Sequence, residues 1–160
     1  MRDTEGWAEE HPYCDRVQNM MILIFFVIWS LDSFFFKMTT FLDGIIPSFV
    51  RFMIGFALVI FGVYMSWSSH KIIFGREVSL VVIDWGVYSL CRHPMYFGIV
   101  SLFLGLSFAS FSIVSFLISV VLLVLYDVFA SYEEEQLVKT FGDEYKEYQR
   151  WVPKWIPKFW

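Results

Sequence analysis

Two short stretches of this chain concentrate side chains able to do chemistry. Arg92-His93-Pro94-Met95-Tyr96 sets a guanidinium, an imidazole and a phenol within one turn, and Glu133-Glu134-Glu135 sets three carboxylates in a row. A guanidinium grips carboxylates or phosphates through paired N–H groups, an imidazole moves protons near neutral pH, and carboxylates hold cations and hydroxyls. Proline excludes helical backbone from the residue before it and suits the first position of a helix. His93 is therefore expected to be extended, with a helix starting at Pro94. The positive end of that helix then lies beside Arg92 and His93, where an anion is favoured.

The elements that carry these residues are set by an apolar composition. The 160 residues are 58% hydrophobic and 21% aromatic, with mean hydropathy +0.58 and 19 Phe, 8 Tyr and 7 Trp. So few charged side chains cannot cover that much apolar surface in water, and the chain needs lipid as its solvent. Disorder and collagen-like repeats are excluded. Nucleic-acid binding is excluded too, because 12 Lys and Arg against 16 Asp and Glu give a net charge of -4 and no basic field.

Residues 17–36 and 45–67 predict the first two membrane spans, the second opened by Ile45-Ile46-Pro47. From Pro94 to Ala130 the only charge is Asp127, and the small and hydroxylated run Ala109-Ser110-Phe111-Ser112 predicts a turn between spans at 94–109 and 112–130. The expected fold is an all-α integral membrane protein, one membrane domain over 1–160. It has about four spans, a helical hairpin of spans three and four, a loop from Ser68 to His93, and an amphipathic C-terminal segment over 131–160. In a hairpin turning near residue 111, Arg92 and His93 fall within about one helical turn of Glu133 and Glu134. A cation, an imidazole, a tyrosine and two carboxylates thus converge at one membrane mouth. Such charges also serve as plain interfacial ion pairs that fix topology, so convergence alone leaves both readings open.

Basic residues give the orientation. Arg2, Arg16, Lys71, Arg76, Arg92, Lys139, Lys146, Arg150, Lys154 and Lys158 fall on one side, and Lys37 and Arg51 on the other. The positive-inside bias then puts both termini, the long loop and the convergent residues in the cytosol. The acidic start lacks the features of a cleaved signal peptide, so the first span is expected to stay as an anchor. Cys14 and Cys91 are expected to be unpaired thiols. Asp32 and Arg51, at similar depth on the outer side, predict an ion pair, and His70 reads as an interfacial residue. Asp127 is expected near the convergent cluster. In the tail, Gly142 should separate two helical segments, and Trp151, Trp155, Phe159 and Trp160, interleaved with Arg150, Lys154 and Lys158, predict a belt on the headgroups.

The ordered pattern Gly86-Val87-Tyr88, Arg92-His93-Pro94-Met95-Tyr96-Phe97-Gly98, Glu133-Glu134, Leu137, Phe141-Gly142, Tyr145, Tyr148, Val152-Pro153 and Ile156-Pro157 resembles the isoprenylcysteine carboxyl methyltransferase family, related to the phospholipid N-methyltransferases. The match covers residues 86–157, and neither half is specific without the other. Val87 departs from the proline frequent at its position. The resemblance implies a multi-helix membrane enzyme taking a methyl group from S-adenosylmethionine on the cytosolic side and giving it to a lipid-like acceptor. The acceptor would be a prenylcysteine-type carboxylate, or alternatively a phospholipid amine or a small apolar thiol. It places Tyr88, His93, Tyr96, Glu133 and Glu134 around the cofactor under the C-terminal segment, and Arg92 near the acceptor. Arg92 and Glu134 are then the catalytic candidates, with Glu134 or His93 as the base for an amine. Methyl transfer is an in-line displacement driven by alignment and calls for no metal. Two other readings remain: a nicotinamide-dependent sterol-type reductase, whose relatives share the Arg-His-Pro-x-Tyr segment, and a non-enzymatic membrane scaffold.

Overall fold

The computed structural model describes residues 14–41, 44–74 and 81–156, and all regular structure among them is helical. Helix α1, Cys14–Ser30, widens into a π-helical stretch over Leu31–Phe36. Helix α2 is Ser48–Phe74, a 3-10 turn covers Gly86–Ser89, and α3, α4 and α5 are Pro94–Ser110, Ile113–Phe141 and Asp143–Trp151. Arg16–Phe36, Ser48–Ile73 and Ile113–Phe141 are long and apolar enough to cross a membrane, and Pro94–Ser110 is a shorter apolar helix. Their outer faces are apolar: Phe35, Phe49 and Trp67 are each more than 70% exposed. In water such a surface would aggregate, whereas lipid solvates it.

Local chemistry sets the breaks. Pro94 opens α3, as the sequence predicts, with His93 at its N-cap in a non-helical conformation (φ -122°, ψ 62°) short of fully extended. Phe111 takes the left-handed backbone (φ 54°) that ends α3, and Ser112 caps α4 by accepting from the Ser115 amide. Gly142, at φ 60°, separates α4 from α5. Two expected ends differ. Helix α2 runs past Ser68 to Phe74. Helix α4 does not stop at Ala130, because Ser131 to Phe141 holds good helix formers and no breaker. The carboxylates therefore ride on a rigid extension of the fourth span.

Helices α2 and α3 pack backbone to backbone. A Cβ added at Gly62 would lie 2.5 Å from the Gly98 carbonyl oxygen, and one added at Gly98 would lie 2.6 Å from that of Gly62. Only glycine permits that approach, and in lipid such contact replaces the missing hydrophobic drive. On the other flank of α3, Phe25 of α1 stacks on Phe103 at 4.2 Å and Tyr96 stacks on Tyr126 of α4 at 4.5 Å. These rings form the core with Val100, Leu122, Phe129 and Ala130.

The end of the bundle away from Arg92 corrects one expectation. Asp32 is buried, but its carboxylate accepts from the Thr39 amide (2.9 Å), the Thr39 hydroxyl (2.5 Å) and the Ser112 hydroxyl (2.6 Å). Arg51, also buried, lies over the Phe111 ring at 5.5 Å and donates to Ser48. The Asp32–Arg51 ion pair does not form: neutral donors close by satisfy the carboxylate, so it ties the start of α4 to the end of α1. Cys91 is a buried free thiol, and the Cys14 side chain lies outside the described residues. His70 is exposed.

Candidate active site

The hairpin brings Arg92, His93, Tyr96, Glu133 and Glu134 together, and Glu134 is the hub. Its Oε1 accepts from Arg92 Nε at 2.7 Å and lies 3.0 Å from His93 Nε2. Its Oε2 accepts from the other arm of Arg92 at 3.2 Å and from the Gln149 side chain at 2.9 Å. The neighbouring Glu133 accepts from the Tyr96 hydroxyl, and its Oε2 lies 3.6 Å from His93 Nδ1. His93 is 6% exposed, and the Arg92, Glu133 and Glu134 side chains are 12–15% exposed. Water is nearly excluded, so these contacts act at reduced dielectric.

Arg92 does more than face a carboxylate. Its remaining terminal nitrogen donates to the Gln149 carbonyl at 3.1 Å and the Val152 carbonyl at 2.7 Å, while its backbone amide donates to the Pro153 carbonyl at 2.9 Å. All three guanidinium nitrogens are engaged within the chain. The fork that the sequence reading directed at an acceptor is held by Glu134. Burial lowers His93 from its ordinary value near 6.5, and the charges of Lys154 and Arg92 add to this against the opposing pull of Glu134. His93 is thus a neutral imidazole between two carboxylates.

Tyr88 stands apart from the carboxylates. Its hydroxyl pairs with Ser69 of α2 at 2.6 Å, and its carbonyl accepts from the Tyr148 hydroxyl at 2.7 Å. Burial, reinforced by the charge of Glu133 and opposed by the Ser69 bond, pushes its phenol up to about 12. Burial pushes the Cys91 thiol to about 12 as well, which leaves it inert. Val87, the departure from proline, is packed with Met65 and Cys91 under this loop.

The C-terminal segment closes the site. Helix α5 buries Tyr145 and Tyr148 with Val152 against Leu137, Val138 and Phe141. The Trp155 ring lies 6.1 Å from His93, and its indole nitrogen donates to Asp127 at 2.8 Å. Of the described belt residues Arg150 and Trp151 are exposed, while Lys154 and Trp155 are partly buried; Lys158, Phe159 and Trp160 lie outside the described residues. An open cleft of about 420 Å³, lined by Ser131, Glu134, Glu135, Val138, Lys139 and Gln149, reaches Glu134 from the α5 side. Gln149, Ser69, Lys154 and Trp155 are the participants that sequence reasoning did not assign to the site. The helical spacing of Tyr145, Tyr148 and Gln149 was the one available signal for a face turned inward.

A sequence profile described as phospholipid methyltransferase matches residues 50–144, more than half of the chain. The chain belongs to the phospholipid methyltransferase family. The matched stretch of this family member contains all of α3 and α4 and every residue that meets at Glu134 except Gln149. It is also 34% identical over 90 residues to protein-S-isoprenylcysteine O-methyltransferase of Schizosaccharomyces pombe. The alignment takes in 56% of this chain and 38% of that protein, so the chain spans well under half of its relative.

Proposed function

We propose that this chain is a membrane methyltransferase that moves a methyl group from S-adenosylmethionine to a lipid-like acceptor, with Arg92, His93, Tyr96, Glu133 and Glu134 at its working end. The observation that carries this reading is the convergence of two nearly buried carboxylates on Arg92, His93 and Tyr96 at the mouth of an apolar bundle. With His93 neutral, Arg92, Glu133 and Glu134 sum to one negative charge. S-adenosylmethionine carries one net positive charge, so the donor set suits it. When bound, it supplies an electrophilic methyl carbon on a sulfonium.

In this reading Glu133 and Glu134 take the cationic groups and ribose hydroxyls, and Tyr96 fixes the rotamer of Glu133. Tyr88 forms a wall that Ser69 holds in place. Arg92 fixes Glu134 and ties it to the carbonyls of the C-terminal segment. Neutral His93 keeps a lone pair that takes the proton from an amine or thiol acceptor, whereas a carboxylate acceptor needs no proton removed. Ten basic residues against two support a cytosolic placement of this end.

We take a prenylcysteine-type carboxylate as the acceptor, the class in the name of the Schizosaccharomyces pombe relative. A phospholipid amine is the second reading. It is favoured by the full engagement of Arg92, which leaves no opposed guanidinium fork for a carboxylate. Radiolabelled methyl transfer into a membrane extract tests both. Base-labile label means an ester, and base-stable label in lipid means an amine or thioether. Glu134→Gln should abolish transfer while the protein stays folded. Absence of transfer, together with calorimetry showing no binding of S-adenosylmethionine or its demethylated product, would overturn the proposal.

A further inference from the structure

The residues that follow α5, Val152 to Trp155, cross the site as a strap sewn down along two edges. On one edge Arg92 holds the Val152 and Pro153 carbonyls. On the other, Lys154 Nζ donates to the Asp127 carboxylate at 2.6 Å, to the Asp127 carbonyl at 3.1 Å and to the Ser131 hydroxyl at 2.8 Å. The same carboxylate oxygen accepts from the Trp155 indole at 2.8 Å. Between the two edges lie His93, 6% exposed, and the Trp155 ring that covers it.

The edges differ in kind. Arg92 and Glu134 are nearly buried, whereas the Asp127 side chain is 52% exposed. An ion pair in contact with solvent opens more readily than a desolvated one, because water replaces the lost partners. Asp127 also stands alone in its run, the single charge between Pro94 and Ala130, and nothing in the carboxylate cluster requires it.

We propose that Asp127 is a positioning residue: by receiving Lys154 and Trp155 on one oxygen it holds the strap over His93, and its release from them is the step that admits and discharges the methyl donor. The inference rests on the methyltransferase reading. Asp127 touches no reacting atom, so its loss alters how long the donor stays and leaves the chemical step alone.

Hydrogen exchange of the Val152 to Ile156 amides and calorimetry with S-adenosylhomocysteine test this together in the parent, Asp127→Ala and Trp155→Phe. Trp155→Phe keeps an aromatic ring beside His93 and removes the indole N–H together with part of the ring's bulk. Asp127→Ala should speed strap exchange and weaken S-adenosylhomocysteine binding about tenfold through faster dissociation, the scale of a lost charge-assisted bond. Turnover of Asp127→Ala at saturating S-adenosylmethionine should stay within about twofold of the parent, and strap exchange and affinity in Trp155→Phe should fall between those of the parent and Asp127→Ala. Unchanged strap exchange in Asp127→Ala overturns the inference, as does faster exchange with unchanged affinity. A parent that binds no S-adenosylhomocysteine brings down the methyltransferase reading itself, a result seen without any variant.

Discussion

At the residue scale, the arrangement turns on how many bonds one guanidinium makes. Lysine at position 92 keeps the charge but cannot reach both Glu134 oxygens and the Gln149 and Val152 carbonyls at once. Arg92→Lys should lower both donor affinity and turnover by at least about tenfold, since each bond to a charged group contributes about 1.5–3 kcal/mol. Paired measurements of donor affinity and turnover check this; an unchanged pair would show that the fork to Glu134 is dispensable. His93 gives the pH dependence. Its folded value lies below the unfolded value near 6.5, so in the interval between them the unfolded chain holds the extra proton. Stability is complete above about pH 6.5 and is lost as pH falls below it. Melting temperatures in detergent from pH 7.5 to 5 should fall with acid in the parent and more shallowly in His93→Gln. The meeting of Arg92 and His93 with Glu133 and Glu134 was legible in the sequence because a tight hairpin fixes which residues stand level. The commitment of Arg92 to Glu134 was not, because a spacing argument gives proximity and says nothing of which partner wins a donor.

At the element scale, the start of α3 that bears the site is held by a close backbone contact. Gly98 lies five residues past His93, against Gly62 of α2, and an added methyl meets a backbone oxygen that cannot yield alone. Gly98→Ala should cost about 1–3 kcal/mol and shift the start of α3; thermal unfolding in detergent reads the loss. At the far end, Asp32 and Arg51 go to separate partners, so the two should behave independently. The stability losses of Asp32→Asn and Arg51→Gln should add in the double variant to within about 0.5 kcal/mol, and a larger coupling would restore the ion pair. Apolar runs of span length and the Pro94 start made the helices readable. The continuation of α4 past Ala130 was missed because hydropathy marks where lipid ends, not where a helix does. The Asp32–Arg51 pairing failed for a related reason: depth along the membrane was inferred well enough, but Thr39 and Ser112 lie closer to Asp32 than the sequence can reveal.

At the scale of the whole molecule, the helices are unequal. The 17 residues of α3 rise about 26 Å and the 29 of α4 about 43 Å. Both start from the same turn at Phe111, and a hydrocarbon core is about 30 Å thick. Glu133 and Glu134 therefore stand about 30 Å along α4 from Ile113, at the edge of such a layer, and His93, at the start of the shorter α3, meets Glu134 there. In the methyltransferase reading, a site at that edge draws its acceptor from the plane of the membrane and its donor from the aqueous phase, so the two reactants obey different concentration laws. In mixed micelles the rate should follow the mole fraction of acceptor in the surface and stay flat when micelles of fixed composition are diluted with buffer, down to the point at which the protein no longer has a micelle to itself.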